Sequence, residues 1–157
     1  MRLFLSNISL VIVWLFITGQ FSLRNFLLGY AVSYLVLWLS YRKTSPQYFM
    51  KVFSLITFIL FFLKELIKAN LKVMYDIVTP KHYMRPGILS VPLDTQDELQ
   101  ITVLANLLTL TPGTLAVEVS YDKKMMYVHC MYIQNKDEVK NGIKKFEKKV
   151  LDLLSYD

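Results

Sequence analysis

LQITVLANLLTLTPGTLAV, from Leu99 to Val117, is the longest charge-free run beyond the N-terminal third of the chain, and its reading decides the fold. Its length would satisfy a hydropathy window for a membrane span. Its internal punctuation argues against one. Thr95 followed by Glu98 forms a capping box, hydroxyl and carboxylate each accepting the other's backbone N–H, so a helix is expected to open just before the run. The apolar stretch Leu99–Leu110 then makes a helix of about three turns. Pro112 biases Thr111 away from helical angles, and Pro112-Gly113 fits the central pair of a type II turn. Beyond it, Leu115, Val117 and Val119 alternate with Ala116, Glu118 and Ser120, a strand period. The stretch therefore predicts helix, turn and strand, with Asn106, Thr109, Thr111 and Thr114 gathered at the junction.

The rest of the composition agrees with a water-facing C-terminal part carried on an apolar front. The 157 residues suffice for one domain, or for a small domain with a membrane anchor. At 54% hydrophobic the chain exceeds a typical soluble domain, and the excess is uneven. No Asp or Glu precedes Glu65, and up to Tyr41 the only charges are Arg2 and Arg24. The net charge of +6 sits beside apolar segments and along one C-terminal helix, without any nucleic-acid motif. Anionic lipid headgroups are its expected partner, and nucleic acid is not. The single cysteine, Cys130, excludes an internal disulfide and suits a reducing compartment.

Leu3–Ile17 and Phe26–Tyr41 are apolar segments joined by a short polar turn. A signal peptide is the rival for the first, but Thr18-Gly19-Gln20 offers no small-x-small cleavage site and a second apolar segment follows at once. A retained span is preferred. Sixteen residues reach roughly 24 Å, so spanning requires local thinning or interfacial anchoring by Trp14 and Trp38. Gly29 and Ser33 form a small-xxx-small pair that would let another helix approach. Arg42, Lys43 and Lys51 flank Ser45-Pro46, and with Arg2 they place that connection inside and the first turn outside. In Tyr48–Val78, Lys64, Lys68, Lys72 and Asp76 follow a twelve-residue apolar run at four-residue spacing, against a competing apolar face of Leu63, Leu66, Ile67, Leu71 and Met74. Such a helix either spans with its first half or lies in the interface throughout, leaving two and three spans both open. Glu65, the first carboxylate, is expected to pair with Lys64 or Lys68 at headgroup level rather than to handle ions.

Pro80–Pro86, with Lys81, His82 and Arg85, reads as a linker. Strands follow at Gly87–Leu93, Thr114–Ser120 and Met125–Ile133, the last two joined by a turn over Tyr121–Lys124. Asn135 caps a final helix whose apolar positions Val139, Ile143, Phe146, Val150 and Leu153 oppose Lys140, Lys144, Lys145, Lys148 and Lys149. Strand, helix, strand, strand, helix is a split βαβ arrangement, a ferredoxin-like layer without its last strand. The fold class is therefore an α+β membrane protein: membrane helices over 1–79, then a small α/β domain over 80–157.

Catalytic or metal chemistry finds little footing. His82, His129 and Cys130 cannot fill a zinc site without carboxylates, and no HExxH, Walker A or GxGxxG pattern occurs. Cys130 and His129 adjoin on a strand and point to opposite faces, so Cys130 joins Met126 and Val128 in the core. His129 shares the other face with Met125, Tyr127 and Met131, which is apolar enough to expect a covering helix or partner. The hydroxyl cluster around Pro112-Gly113 stands at a helix C-terminus and is no phosphate loop; capping of the last carbonyls is its expected role.

NLLTLTPGT at Asn106–Thr114 resembles the signature of the E subunit of the Mrp-type (Mnh) multisubunit sodium/proton antiporter. RPGIL at Arg85–Leu89, KELIKAN at Lys64–Asn70 and YVH at Tyr127–His129 match it in the same order, while Ala116 and Glu118 depart from it. The resemblance implies a non-catalytic accessory subunit without cofactor, partnered by the other antiporter subunits in the cell membrane, with its C-terminal domain cytoplasmic. It singles out Pro86, Gly87, Asn106, Thr109, Thr111, Pro112, Gly113, Thr114 and His129 as signature positions, with Lys64, Glu65, Lys68 and Lys72 as membrane-edge charges. Three rivals are a ligand-sensing regulatory domain, a freestanding peripheral protein and an equivalent subunit of a hydrogenase-like membrane complex.

Overall fold

The computed structural model describes residues 2–44, 46–80 and 83–154; Ser45, Lys81 and His82 lie outside them. Three helices, α1 (Arg2–Thr18), α2 (Leu23–Tyr41) and α3 (Pro46–Val78), precede β1 (Gly87–Pro92), α4 (Glu98–Leu110), β2 (Thr114–Val119), β3 (Met125–Cys130) and α5 (Lys136–Leu154). The described chain forms two compact units, 1–53 and 54–157, dividing inside α3. The composition boundary at 79/80 instead marks the end of that helix.

In the first unit α1 and α2 pack against each other through polar groups set into apolar helices. Ser22 caps α2 by accepting the Asn25 N–H, which starts the helix three residues before the predicted Phe26. The buried Asn25 is a hub: its amide donates to Thr18 Oγ1 (2.6 Å) and Gln20 C=O (2.7 Å), and its oxygen accepts Trp14 Nε1–H (3.0 Å). Buried Ser33 donates to Asn7 Oδ1 at 2.5 Å, and Asn7 donates to the Tyr48 hydroxyl. In an apolar surround such bonds have little competition from water and fix helix register. Gly29 admits the Trp14 ring; a Cβ there would stand 2.6 Å from Trp14 Cδ1. Among the described residues α2 is the one helix long and apolar enough to cross a membrane, and α1 is a shorter apolar helix.

In the second unit a three-stranded sheet has the order β1-β3-β2, with both neighbours antiparallel to β3. β1 and β2 therefore run parallel with β3 between them, and α4 is their crossover, the split βαβ connection the sequence implied. Leu89 and Val91 of β1, with Met126, Val128 and Cys130 of β3, meet Ile101, Leu104 and Leu108 of α4 and Ile143 and Phe146 of α5 in the core. Phe61 and Phe62 of α3 pack onto this core, Phe61 edge-on to Phe146 at 5.1 Å.

Four details depart from the sequence expectation. The N-cap of α4 is Asp97, whose carboxylate accepts the Gln100 N–H at 2.9 Å; Thr95 instead donates to the Gln100 side chain and accepts the Asp97 N–H. Asp97 stands directly before the helix and is the better N-cap residue, so it displaces the Thr95–Glu98 box. In β2 a bulge between Ala116 and Glu118 shifts the register, turning Ala116 and Val119 to the core and leaving Leu115 and Val117 exposed. Lys144 does not stand on a solvated face. It bridges Asp94 (2.9 Å) and the buried Glu147 (2.7 Å), and Glu147 also accepts the Asp94 N–H, so α5 clamps the loop after β1. These ion pairs outweigh the cost of burial and push the Lys144 ammonium above the ordinary lysine range. Finally, of the helix or partner expected over the outer sheet face, no helix lies there among the described residues, where Ile88 is 62% exposed and Tyr127 37%.

Two measurements check this architecture. Gly29→Val should lower the melting temperature of the detergent-solubilised chain and red-shift Trp14 emission, because the added carbons collide with the indole ring; unchanged melting would contradict the α1–α2 contact. Burial pushes the Cys130 thiol up, so the native chain should resist maleimide at pH 8 and label rapidly once unfolded. Prompt labelling of the folded chain would place Cys130 outside the core.

Candidate functional site

The signature turn is a device for ending α4. Thr111 leaves the helix with φ −87° and ψ 117°, Gly113 takes φ +89°, and the Thr114 N–H closes the turn on the Thr111 carbonyl at 3.1 Å. That is the type II geometry, and its third residue is the one position where a left-handed angle requires glycine. Three hydroxyls reinforce the helix end: Thr109 donates to the Ala105 carbonyl (2.8 Å) within the last turns, while Thr111, donating to Leu107 (2.9 Å), and Thr114, donating to Leu108 (2.6 Å), reach two of the last four carbonyls of α4. Asn106, expected to share in this capping, stays exposed and makes no such bond. The turn is tied to the strand end by Met131, whose N–H donates to the Gly113 carbonyl at 2.8 Å.

Beside the turn runs the middle of α3. A hollow of about 250 Å³ is lined by Glu65, Lys68, Ala69 and Lys72 on one side and by the Thr111–Thr114 turn, Cys130 and Tyr132 on the other. Glu65 pairs with Lys68 at 2.9 Å. Lys64 is exposed. Lys72 places its ammonium 4.4 Å from the centre of the Tyr132 ring, a cation–π contact.

Tyr132 was not among the residues singled out from the sequence, yet it joins three elements. Its hydroxyl donates to Asp76 Oδ2 at 3.4 Å, its ring lies under Lys72, and the space beside Gly113 is filled by its edge. Asp76 is buried and also accepts the Tyr83 N–H at 2.7 Å, anchoring the chain as it leaves α3. Burial and then the Asp76 carboxylate push the Tyr132 hydroxyl above its ordinary range. One sign was legible in the sequence: Asp76 interrupts the lysine series at the same four-residue spacing, where a fourth lysine would have kept the stripe basic. A second hollow, of about 350 Å³, opens at this junction between Lys72, Tyr75, Asp76, Tyr83, Tyr132 and Gln134.

The other signature positions are scattered around this centre. Gly87 opens β1 opposite Cys130, and a Cβ on it would stand 3.0 Å from Ile133 Cδ1. Pro86 is exposed just before it. His129 lies half-buried on the outer sheet face, in register with Ile88 and Leu115, away from the turn. Gly29 and Ser33 belong to the α1–α2 contact described above. Every buried side-chain nitrogen and oxygen among the described residues has a hydrogen-bond partner.

Comparison with known proteins gives a consistent answer. The family model MNHE, described as a Na+/H+ ion antiporter subunit, matches residues 7–153. The E subunit of the Na(+)/H(+) antiporter of Bacillus subtilis is 34% identical over 151 residues, covering 95% of this chain and 96% of that one. The E1 subunit of the Na(+)/H(+) antiporter of Staphylococcus saprophyticus is 36% identical over 149 residues, covering 94% and 92%. Among solved structures, a chain of the Mrp complex from Dietzia aligns with a TM-score of 0.51 at 27% identity, over 65% of this chain and 96% of that one. A chain of the membrane-bound sulfane sulfur reductase, an archaeal respiratory membrane complex, aligns with 0.56 at 25% identity over 95% and 98%.

Removing the turn's caps should be costly. Thr114→Val leaves the Leu108 carbonyl without its hydroxyl donor and should destabilise the folded chain by about 1–3 kcal/mol, read as a lower melting temperature and faster Cys130 labelling. Asn106→Ala, at an exposed position, should leave both unchanged. Equal effects of the two would remove the turn from its central role.

Proposed function

The chain belongs to the family of Na+/H+ antiporter E subunits, and on that premise we propose that it is an accessory, non-catalytic subunit of a multisubunit sodium/proton antiporter, working through assembly and stability of the complex. The observation that carries this reading is how its polar interior is spent. Asn25, Ser33, Asp76 and Glu147 each hold one part of the chain against another, Thr111 caps the end of its own helix, and Glu65 is paired with Lys68. Ion translocation would need ionisable groups left to bind and release a cation inside the apolar part. In α1 and α2 the charged residues are Arg2 and Arg24, and neither is a carboxylate.

The positive-inside pattern of Arg2, Arg42, Lys43 and Lys51 supports a cytoplasmic position for the α/β domain and an external turn after α1. A second reading draws on the likeness to the sulfane sulfur reductase chain: an equivalent subunit in a respiratory membrane complex. The companions that accompany the chain separate the two.

Affinity purification of the tagged chain in mild detergent should bring down larger antiporter subunits, and deletion of the chain should reduce their abundance. Recovery as a lone monomer, or sodium/proton exchange by the chain alone in vesicles, would sink the accessory-subunit reading. In a Cys130→Ala background, Gln20→Cys should react with an impermeant maleimide on intact cells, and Lys123→Cys only after lysis.

A further inference from the structure

The half of α3 in the second unit divides its surface sharply. Phe61, Phe62, Ala69 and Asp76 turn toward the α/β domain, where Phe61 and Phe62 join the core and Asp76 is buried. Around the opposite side run Ile56, Leu60, Leu63, Ile67, Leu71 and Met74, all between 45% and 62% exposed. Their spacing of four, three, four, four and three residues draws a straight stripe of roughly 27 Å along the helix. Lys64 stands on one edge of it, exposed. The two carboxylates of this helix are withdrawn from that surface, Glu65 into its pair with Lys68 and Asp76 into its bonds with Tyr83 and Tyr132. What remains outward is apolar and positive.

Depth follows from what the helix is packed on. The domain fixed to its inner face carries two sheet edges, β1 and β2, with unpaired backbone groups, and the lysine-rich α5. Open sheet edges are excluded from hydrocarbon. If residues 54–78 crossed the bilayer, this domain would be drawn in with them.

We propose that this part of α3 lies in the plane of the membrane, its apolar stripe at the acyl boundary and Lys64, on the edge of that stripe, at anionic headgroups. The occupant of the exposed face is thus an anionic lipid surface, chosen by charge complementarity: a stripe without carboxylates and edged by a lysine matches phosphate headgroups over an apolar layer. The inference rests on the chain's being a membrane subunit, and it decides between the alternatives left open by the sequence in favour of the interfacial helix.

The test uses the complex in nanodiscs of phosphatidylglycerol, with spin labels placed singly at Leu60, Leu63, Ile67, Leu71 and Met74 in a Cys130→Ala background. Accessibility to oxygen and to a water-soluble nickel reagent should place all five at one depth, roughly 5–10 Å below the phosphates. Lys64→Gln should make the labels shallower in these discs and change nothing in phosphatidylcholine. Depth increasing steadily from one label to the next would mean a span and overturn the proposal. Shielding of all five from both reagents would mean that another protein covers the face, and would overturn it too. The same labels on the purified chain alone keep the two readings apart: failure to recover companions refutes the accessory-subunit reading, while the depth pattern decides this one.

Discussion

A helix that ends inside a protein must find donors for its last carbonyls, and the second unit is built on how α4 meets that requirement. The hydroxyls of Thr111 and Thr114 reach back to Leu107 and Leu108 while Gly113 takes the left-handed angle that reverses the chain. With α4 ended there, β2 starts at once and runs parallel to β1, leaving a gap that β3 fills from the following hairpin. Lost caps would loosen the helix end and with it the register of the strand it delivers. The signature of the family is thus a local solution to a hydrogen-bonding problem, placed where sheet topology is decided.

Tyr132 carries that arrangement across to α3. Lys72 covers its ring and Asp76 accepts its hydroxyl, so one side chain is held at both ends by one helix. A buried carboxylate is tolerated because two donors meet it, the Tyr132 hydroxyl and the Tyr83 N–H. Phe61 and Phe62 add the apolar part of the attachment further along the same face. The small α/β layer, with a thin core of its own, gains surface burial from a helix that brings both chemistries.

The α1–α2 hairpin follows a different rule. Its contact is made by small and polar residues, Gly29 against Trp14 and Asn25 and Ser33 bonded to the facing helix, while Phe4, Phe16, Leu27 and Leu39 face outward. Apolar residues give no preference for one neighbour over another in lipid; close approach and hydrogen bonds do. Register within the hairpin is set by polar atoms, and the outward apolar surface is left for lipid or companions.

Local physics was readable from the chain because it acts over a few residues. Pro112-Gly113 dictated the turn, and the strand and helix periods gave the element order and the split connection. The family signature identified the chain. Interactions across long separations were not readable. The bulge at Ala116–Glu118 reversed which apolar residues of β2 face the core, because inward phase depends on pairing with β3. Asp97 replaced Thr95 as the cap, since either could start the helix and only the path of the chain chooses between the two starting points. Asp76 and Tyr132, 56 positions apart, could not be joined by any local rule, and neither could Glu147 with Asp94. The sequence determined what each segment would become. Tertiary structure decided which polar groups would be buried, because burial depends on what arrives from the far end of the chain.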